Sequence, residues 1–305
     1  MTSFAKCSSI NSSIGVFDSG VGGLSVLRQL LQHLPQEDLV YLADSAGAPY
    51  GERSSEQIAA RSLQIANYLQ QQHHIKALVV ACNTATSHAV QQLREQHPQL
   101  LLIGIEPAIK PAVALSSTGH IGIMATRATV QGAKFARLVQ DWGGENHIHV
   151  QACDGLALAI ENALDGQANP DGQTVQSLCQ RYWTALQAAA SEAADAAGES
   201  SDAASGAIDV LVLGCTHYPF AADVLQTLAG DAVQLIEPGE PVARQTQRLL
   251  QQHGLLRPAL GAGQTAAEQI QPSRLTLLAT SNPQRLQRAA QQWLGVTAEV
   301  EVVEL

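Results

Sequence analysis

The segment IGVFDS at residues 14–19 returns as IGIMAT at residues 121–126, and ALVVACNT at residues 77–84 returns as VLVLGCTH at residues 210–217. Each is a short apolar run, the pattern of a strand buried on both faces, that ends in small polar residues. Their shared order in the two halves of the chain reads as an internal duplication. Further runs of the same kind are LVYLA from Leu39, LLIGI from Leu101, VQLIE from Val233 and LTLLA from Leu275. Between them, residues 24–34, 54–71 and 89–96 place apolar side chains three and four apart, as a helix lying on a sheet requires. Strands alternating with helices predict an α/β fold with mainly parallel sheets, here as two pseudo-symmetric Rossmann-like lobes.

The two halves differ in length. The cysteine follows the opening isoleucine by 68 residues in the first half and by 94 in the second, and an Ala/Ser-rich stretch at residues 188–206 supplies most of the surplus. Such composition makes either a helix extension or a mobile surface loop, and we read it as an insertion without a catalytic part. Two proline-containing segments, GIEPAIKPA at 104–112 and IEPGEPVA at 236–243, follow strands and read as hinged crossings between lobes. The first lobe would then comprise residues 1–105 plus 238–305 and the second residues 106–237. A cleft is expected between them, where the cysteine-bearing strands end.

Composition narrows the function. Of 305 residues 46% are hydrophobic and 14% charged, which excludes a disordered chain. With 17 Lys and Arg against 27 Asp and Glu the net charge is −10, so no basic face is available to neutralise nucleic-acid phosphates. The first dozen residues lack the apolar core of a signal peptide and no apolar run reaches membrane-spanning length, so a cytoplasmic protein without a membrane partner is expected. Five cysteines, Cys7, Cys82, Cys153, Cys179 and Cys215, are an odd number at irregular spacing with no CxxC pair. Reduced thiols are expected rather than a disulfide framework or a zinc site. His73–His74 and His147-x-His149 lack companion ligands and read as solvated faces, not metal pairs.

Cys82 and Cys215 are the candidates for the chemistry. A lone cysteine at the end of an apolar run is ordinarily a small core residue. Here two of them close equivalent strands and are trailed by hydrogen-bonding side chains, Asn83–Thr84 and Thr216–His217. A helix beginning just past Cys82 would favour its thiolate through the helix dipole and free N–H groups. Two thiols facing one cleft suit the inversion of a stereocentre, one removing a proton from a carbon and the other delivering a proton to its opposite face. DSGVGG at residues 18–23 joins a strand to a helix and suits an anion at the helix N-terminus, but has neither the dinucleotide nor the phosphate-loop spacing. Asp18 at the strand tip either orients a substrate ammonium or a base, or caps a turn. Ser19 can donate a hydrogen bond, and Thr126 is its counterpart in the repeat. ADSAGAPYG at residues 43–51 is a loop in which Tyr50–Gly51 can present a backbone N–H to a ligand. His217 is either a helper for Cys215 or a core histidine. None of Lys6, Lys76, Lys110 and Lys134 sits where a Schiff-base lysine is expected, so a cofactor-free mechanism is preferred. A cysteine hydrolase using Cys215 and His217 would leave Cys82 without a role, and a non-catalytic amino-acid-binding protein is the third possibility.

The motifs GVFDSGVGGLSVL, ADSAGAPYG, ACNTAT, GIEPAIKPA, IGIMATRATV and LGCTHYPF occur in one order that resembles the glutamate racemases over roughly residues 14–250. The resemblance implies cofactor-independent interconversion of L- and D-glutamate, supplying D-glutamate for peptidoglycan, with an active site between two α/β lobes. It assigns the α-proton of the D-enantiomer to Cys82 and that of the L-enantiomer to Cys215. It places substrate at Asp18, Ser19, Tyr50, Gly51, Asn83, Thr84, Thr216 and His217, and gives Asp18 and His217 the task of assisting the two thiols. Glu161 matches a carboxylate that supports the second thiol. It also implies a homodimer, and because some members are activated by a peptidoglycan precursor, such an activator is a further expected partner. The chain departs from the family at Cys153–Asp154, where Cys-Pro is usual, and at Gly47, where many members carry Arg. Aspartate is the runner-up substrate.

Overall fold

The computed structural model of the chain describes residues 9–197, 206–258 and 274–305. It divides into two compact units, one drawn from the residues up to Ile105 and from Gly239 onward, the other from Glu106–Pro238. In the first, β1 (Ile14–Asp18), α1 (Leu24–His33), β2 (Leu39–Ala43), α2 (Ser55–His73), β3 (Ala77–Val80), α3 (Asn83–Gln96) and β4 (Leu101–Gly104) alternate. The second holds α4 (Ile109–Leu115), β5 (His120–Ala125), α5 (Arg127–Val130), α6 (Ala133–Trp142), β6 (His147–Ala152), α7 (Leu156–Leu164), α8 (Val175–Ala197), β7 (Val210–Gly214), α9 (Ala222–Ala229) and β8 (Gln234–Ile236). The chain then completes the first unit with α10 (Gly239–Gln252), β9 (Leu275–Ala279), α11 (Pro283–Leu294) and β10 (Val300–Val302).

Both sheets are parallel throughout, as the strand–helix alternation requires. The first has the order β10-β9-β2-β1-β3-β4 and the second β6-β5-β7-β8. The second repeats the order β2-β1-β3-β4 of the first, so the duplication seen in the sequence is a duplication of topology. In each unit the strand order reverses at the strand that opens the repeat, β1 or β5. Outside the carboxyl ends of such neighbouring strands lies the usual ligand crevice of an open α/β sheet. Cys82 follows β3 and Cys215 follows β7, each next to that switch point.

The strands are buried because helices cover them. In the first unit Phe17, Leu78 and Val80 pack against Ile58, Ile65 and Leu69 of α2 and Ala85, Ala89 and Leu93 of α3. In the second, Ile121, Ile123, Val210 and Val212 pack against Ile109, Ala112 and Phe135. Each Val, Leu, Ile or Phe side chain so withdrawn from water contributes about 1.5–3 kcal/mol, and each alanine less. α2 opens on a capping box, with Ser54 Oγ accepting from Gln57 N at 3.3 Å and Gln57 Oε1 from Ser54 N at 3.0 Å. Thr86 of α3 ties two strands, donating to the Val80 carbonyl at 3.2 Å and accepting from Ile105 N at 3.1 Å.

Each cysteine-bearing strand is pinned at its amino end by a charge. Lys76, fully buried before β3, donates to Glu37 Oε2 at 2.5 Å and to the carbonyls of Ile10 at 2.7 Å and Leu255 at 2.8 Å. Asp209, before β7, accepts from Ser116 Oγ at 2.6 Å, Ser117 N at 2.6 Å, Ser117 Oγ at 2.8 Å and Thr118 N at 3.0 Å. Burial opposes the Asp209 charge, but these donors outweigh it and bring its carboxyl down to about 2.

Some elements differ from the sequence reading. β6 and β10 are edge strands with mostly exposed or half-exposed residues, so neither has the continuous apolar run that marks the inner strands. The reading of His147-x-His149 as a solvated face is corrected for His149. It is buried and its Nε2 lies 3.1 Å from His120 Nδ1, whereas His147, on the same face of the strand but at its exposed beginning, stacks on the His120 ring with centroids 4.7 Å apart. Cys82, Cys153, Cys179 and Cys215 are free and buried, while Cys7 lies outside the described residues. The start of the Ala/Ser-rich stretch continues α8 through Ala197, and residues 198–205 lie outside the described residues. Among the described residues no helix is long and apolar enough to cross a membrane.

Candidate active site

The first half-site gathers where β1 and β3 end. These strands pair in parallel, with Phe17 opposite Val80 and Ala81 N donating to the Phe17 carbonyl at 2.8 Å, which brings Asp18–Ser19 beside Cys82. Cys82 is the N-cap of α3 and its Sγ accepts from Ala85 N at 3.4 Å. The sulfur therefore occupies the end of a helix at which negative charge is stabilised. It lies 3.8 Å from Ser19 Oγ. Asp18 is fully buried, and its Oδ1 accepts from Gly20 N at 2.9 Å, which shapes the turn into α1. Gly23 in that turn has no room for a side chain, since a Cβ would stand 2.6 Å from Asp18 Cβ and 2.9 Å from Tyr41 Oη.

Asn83 and Thr84 form the first turn of α3 and are buried. Neither the Oδ1 nor the Nδ2 of Asn83 has a hydrogen-bond partner. A buried amide with both ends unmatched is costly in a resting protein and suits a ligand that brings its own donor and acceptor. Tyr50 and Gly51 begin a single 3-10 turn, Tyr50–Glu52, after the 44–49 loop. The Tyr50 hydroxyl donates to Asp44 Oδ2 at 2.7 Å, and burial together with Asp44 pushes the phenol far above its ordinary range. Tyr50 and Cys82 belong to one buried cluster, so this loop lies in the same neighbourhood.

The second half-site is built differently on the same frame. Cys215 follows β7, and the chain enters a 3-10 turn, Tyr218–Ala221, before α9. No helix begins directly at this thiol. Its neighbour is His217, whose Nδ1 lies 3.7 Å from Cys215 Sγ and whose Nε2 is 2.8 Å from Glu161 Oε1 on α7. Burial opposes a charged imidazole, but the thiol and the carboxylate outweigh it and hold the His217 pKa well above its usual value. Thr216 is buried beside them. Thr126, at the end of β5, caps α5: its Oγ1 accepts from Thr129 N at 3.3 Å and is 2.9 Å from Thr129 Oγ1.

Cys153 follows β6, and burial, then the nearby Cys215 and Cys179, pushes its thiol far up. Burial alone takes Cys179 to about 12. At the departure Cys153–Asp154, the Asp154 carboxylate pairs with Arg127 and its carbonyl accepts from the Tyr182 hydroxyl at 2.6 Å. The loop is closed by these bonds, and the α7 that follows carries Glu161 to His217. Thus Asp18, Ser19, Cys82, Tyr50 and Asn83 gather in one unit, and Cys215, Thr216, His217 and Glu161 in the other. The sequence reading missed Asp44 as more than a loop residue. Its signal was the Asp-Ser pair at residues 44–45, just past β2, which echoes Asp18–Ser19 at the tip of β1.

Residues 14–246 match a family model described as Asp/Glu/Hydantoin racemase. The chain is 43% identical over 291 residues to a glutamate racemase of Ectopseudomonas mendocina, covering 95% of this chain and 97% of the relative. This chain belongs to the glutamate racemase family. A glutamate racemase isoform from Bacillus anthracis has a similar structure, with a TM-score of 0.76 at 29% identity over 96% of this chain and 98% of that one. A second similar structure is Escherichia coli glutamate racemase in complex with L-glutamate and the activator UDP-MurNAc-Ala. Its TM-score is 0.75 at 26% identity, over 96% of this chain and 98% of that one. Both structures are similar to the two-sheet α/β fold described above over nearly the whole chain.

Proposed function

We propose that this chain interconverts L- and D-glutamate without a cofactor, using Cys82 and Cys215 as two acid–base groups on one substrate molecule. The observation that carries this reading is a thiol at the equivalent strand end of each half of the duplication, each set among polar groups of a different kind. From L-glutamate, the Cys215 thiolate takes the α-proton and the Cys82 thiol gives its own proton to the opposite face of the same carbon. D-glutamate leaves, with Cys215 now protonated and Cys82 a thiolate. That form acts on D-glutamate by the reverse path, and proton exchange with solvent restores the other.

Each thiol has its assistant. Asp18, at the tip of β1, serves Cys82, and His217 held by Glu161 serves Cys215. The N-terminus of α3 and the unmatched amide of Asn83 suit the substrate's charged groups, with Ser19, Thr84 and Thr216 supplying hydroxyls and Tyr50–Gly51 main chain. Thr126 contributes from the end of β5. Stabilising the carbanionic transition state falls to such donors.

The product supplies D-glutamate for peptidoglycan from the cytoplasm. The complex of the Escherichia coli enzyme supports L-glutamate as substrate and a UDP-linked muramyl precursor as activator, and a homodimer is the proposed assembly. Proton NMR of L- and D-glutamate in heavy water with the purified chain tests the reading. Loss of both α-proton signals together with loss of optical activity is expected. Retention of both signals, with the activator present, defeats it.

A further inference from the structure

The Asp44 carboxylate is fully buried one residue beyond β2, where its backbone N–H donates to the Asp18 carbonyl at 2.9 Å. Four side-chain hydrogen bonds converge on it. Oδ2 accepts from the Tyr50 hydroxyl at 2.7 Å and Arg61 Nε at 2.9 Å, and Oδ1 from Arg61 Nη2 at 2.7 Å and Thr280 Oγ1 at 2.8 Å. Thr280 in turn accepts from Ala46 N at 2.9 Å, and Arg61 Nη1 donates to the Leu305 carbonyl at 2.8 Å. The loop closes on the carboxylate: a Cβ on Gly47 would stand 2.1 Å from Asp44 Oδ2 and 3.1 Å from Tyr50 Cε1. Burial opposes the charge, but Arg61, Tyr50 and Thr280 outweigh it and keep Asp44 below the usual carboxylate range. An ionised carboxylate can only accept, so the Tyr50 hydroxyl is committed as a donor to it.

We propose that Asp44 is a positioning residue of the first half-site, locking Tyr50 and the loop 44–51 against α2 and the end of β9 so that the Tyr50–Gly51 main chain is presented to the substrate. The inference rests on the racemase reading for its substrate. Asp44 takes no proton in the reaction. Its effect is on binding, because a loop held in its bound conformation loses less entropy when glutamate arrives.

The test compares Asp44→Asn, Thr280→Val, Thr280→Ser and Tyr50→Phe with the unaltered chain, by racemisation kinetics and by calorimetric titration with L-glutamate. For Asp44→Asn, KM for both enantiomers and the calorimetric Kd are expected to rise about tenfold, with kcat changed less than about threefold. Thr280→Val and Tyr50→Phe each remove one donor, and rises of about threefold are expected. Thr280→Ser restores the hydroxyl and should restore Kd, which a general packing role for the threonine methyl would not predict. If Asp44→Asn does not fold, the Thr280 and Tyr50 variants decide. Unchanged Kd in folded Thr280→Val and Tyr50→Phe overturns the proposal, as does a fall in kcat with KM unmoved. An unaltered chain that binds glutamate but exchanges no α-proton defeats the racemase reading instead, and the titrations then still judge Asp44.

Discussion

The two halves share a strand order and a strand–cysteine–polar motif, yet they surround their thiols with different electrostatics. In the first, the carboxylate comes from the strand tip, Asp18, and the sulfur caps a 14-residue helix whose N–H reaches it. In the second, Ala125 stands at the position of Asp18, and no helix starts at the cysteine. There a carboxylate arrives from α7, 56 residues from His217 in sequence, and meets the His217 ring at 2.8 Å. Thr84 is the repeat's counterpart of His217. The duplicated backbone supplies two places for a thiol, and each place acquired its own means of stabilising charge. Two acid–base groups that must alternate between protonation states need not have identical surroundings, only surroundings that permit both states.

The sharpest way to break this comparison is to remove each thiol. Cys82→Ala and Cys215→Ala should each lower racemisation by about 10²–10⁴-fold, measured by circular dichroism. A Cys82→Ala protein keeping most of its rate would make the two halves unequal in kind. The amino-end anchors come next. Lys76→Met leaves Glu37 buried without its ammonium and should cost about 3–5 kcal/mol in urea unfolding. Asp209→Asn, whose partners can turn to the amide or to water, should cost about 1–2 kcal/mol. Equal costs would show that the two strands are pinned alike.

Glu161→Gln probes the relay in the second half. Because the enantiomers have equal energy, kcat/KM must fall equally in both directions, by about tenfold. The asymmetry belongs in the primary isotope effect, which should grow for L-glutamate deuterated at the α-carbon more than for its D-counterpart. The reverse order would move the relay to the other thiol. The smallest effect is on stability. A His217 pKa raised in the folded state contributes stability that is complete below the unfolded value of about 6.5 and disappears as pH rises through the folded value. His217→Asn should therefore lower Tm more in mildly acidic than in alkaline buffer, followed by calorimetry. Asp209 has the opposite sign: its contribution is present above about 4 and fades as pH falls toward about 2.

Much of this was legible in the chain itself. Inner strands are covered on both faces, so they must be apolar without interruption, and those from Ile14, Ala77, Ile121 and Val210 announce both the sheets and the repeat. Of the edge strands, β4 and β8 still carry apolar runs, but β6 and β10 leave most of their residues exposed or half-exposed, and HIHVQA and the run around Val300 therefore gave no such signal. The helix behind Cys82 starts at Asn83, six residues before its apolar periodicity begins. Its first turn is set by the sulfur cap and by Thr86, not by a buried stripe.

The sequence by itself determined the parallel α/β frame, the duplication, and a thiol at the end of one strand in each half, because burial and side-chain period are local properties of a strand or helix. Only the tertiary structure decided which charges meet. Glu161 reaches His217, Arg61 and Thr280 meet at Asp44, and Lys76 finds Glu37 across separations of 56, 17, 236 and 39 residues respectively. Local patterns cannot show such pairings, since a hydrogen bond between distant residues depends on how the elements carrying them pack, and nothing in either residue's own neighbourhood names its partner.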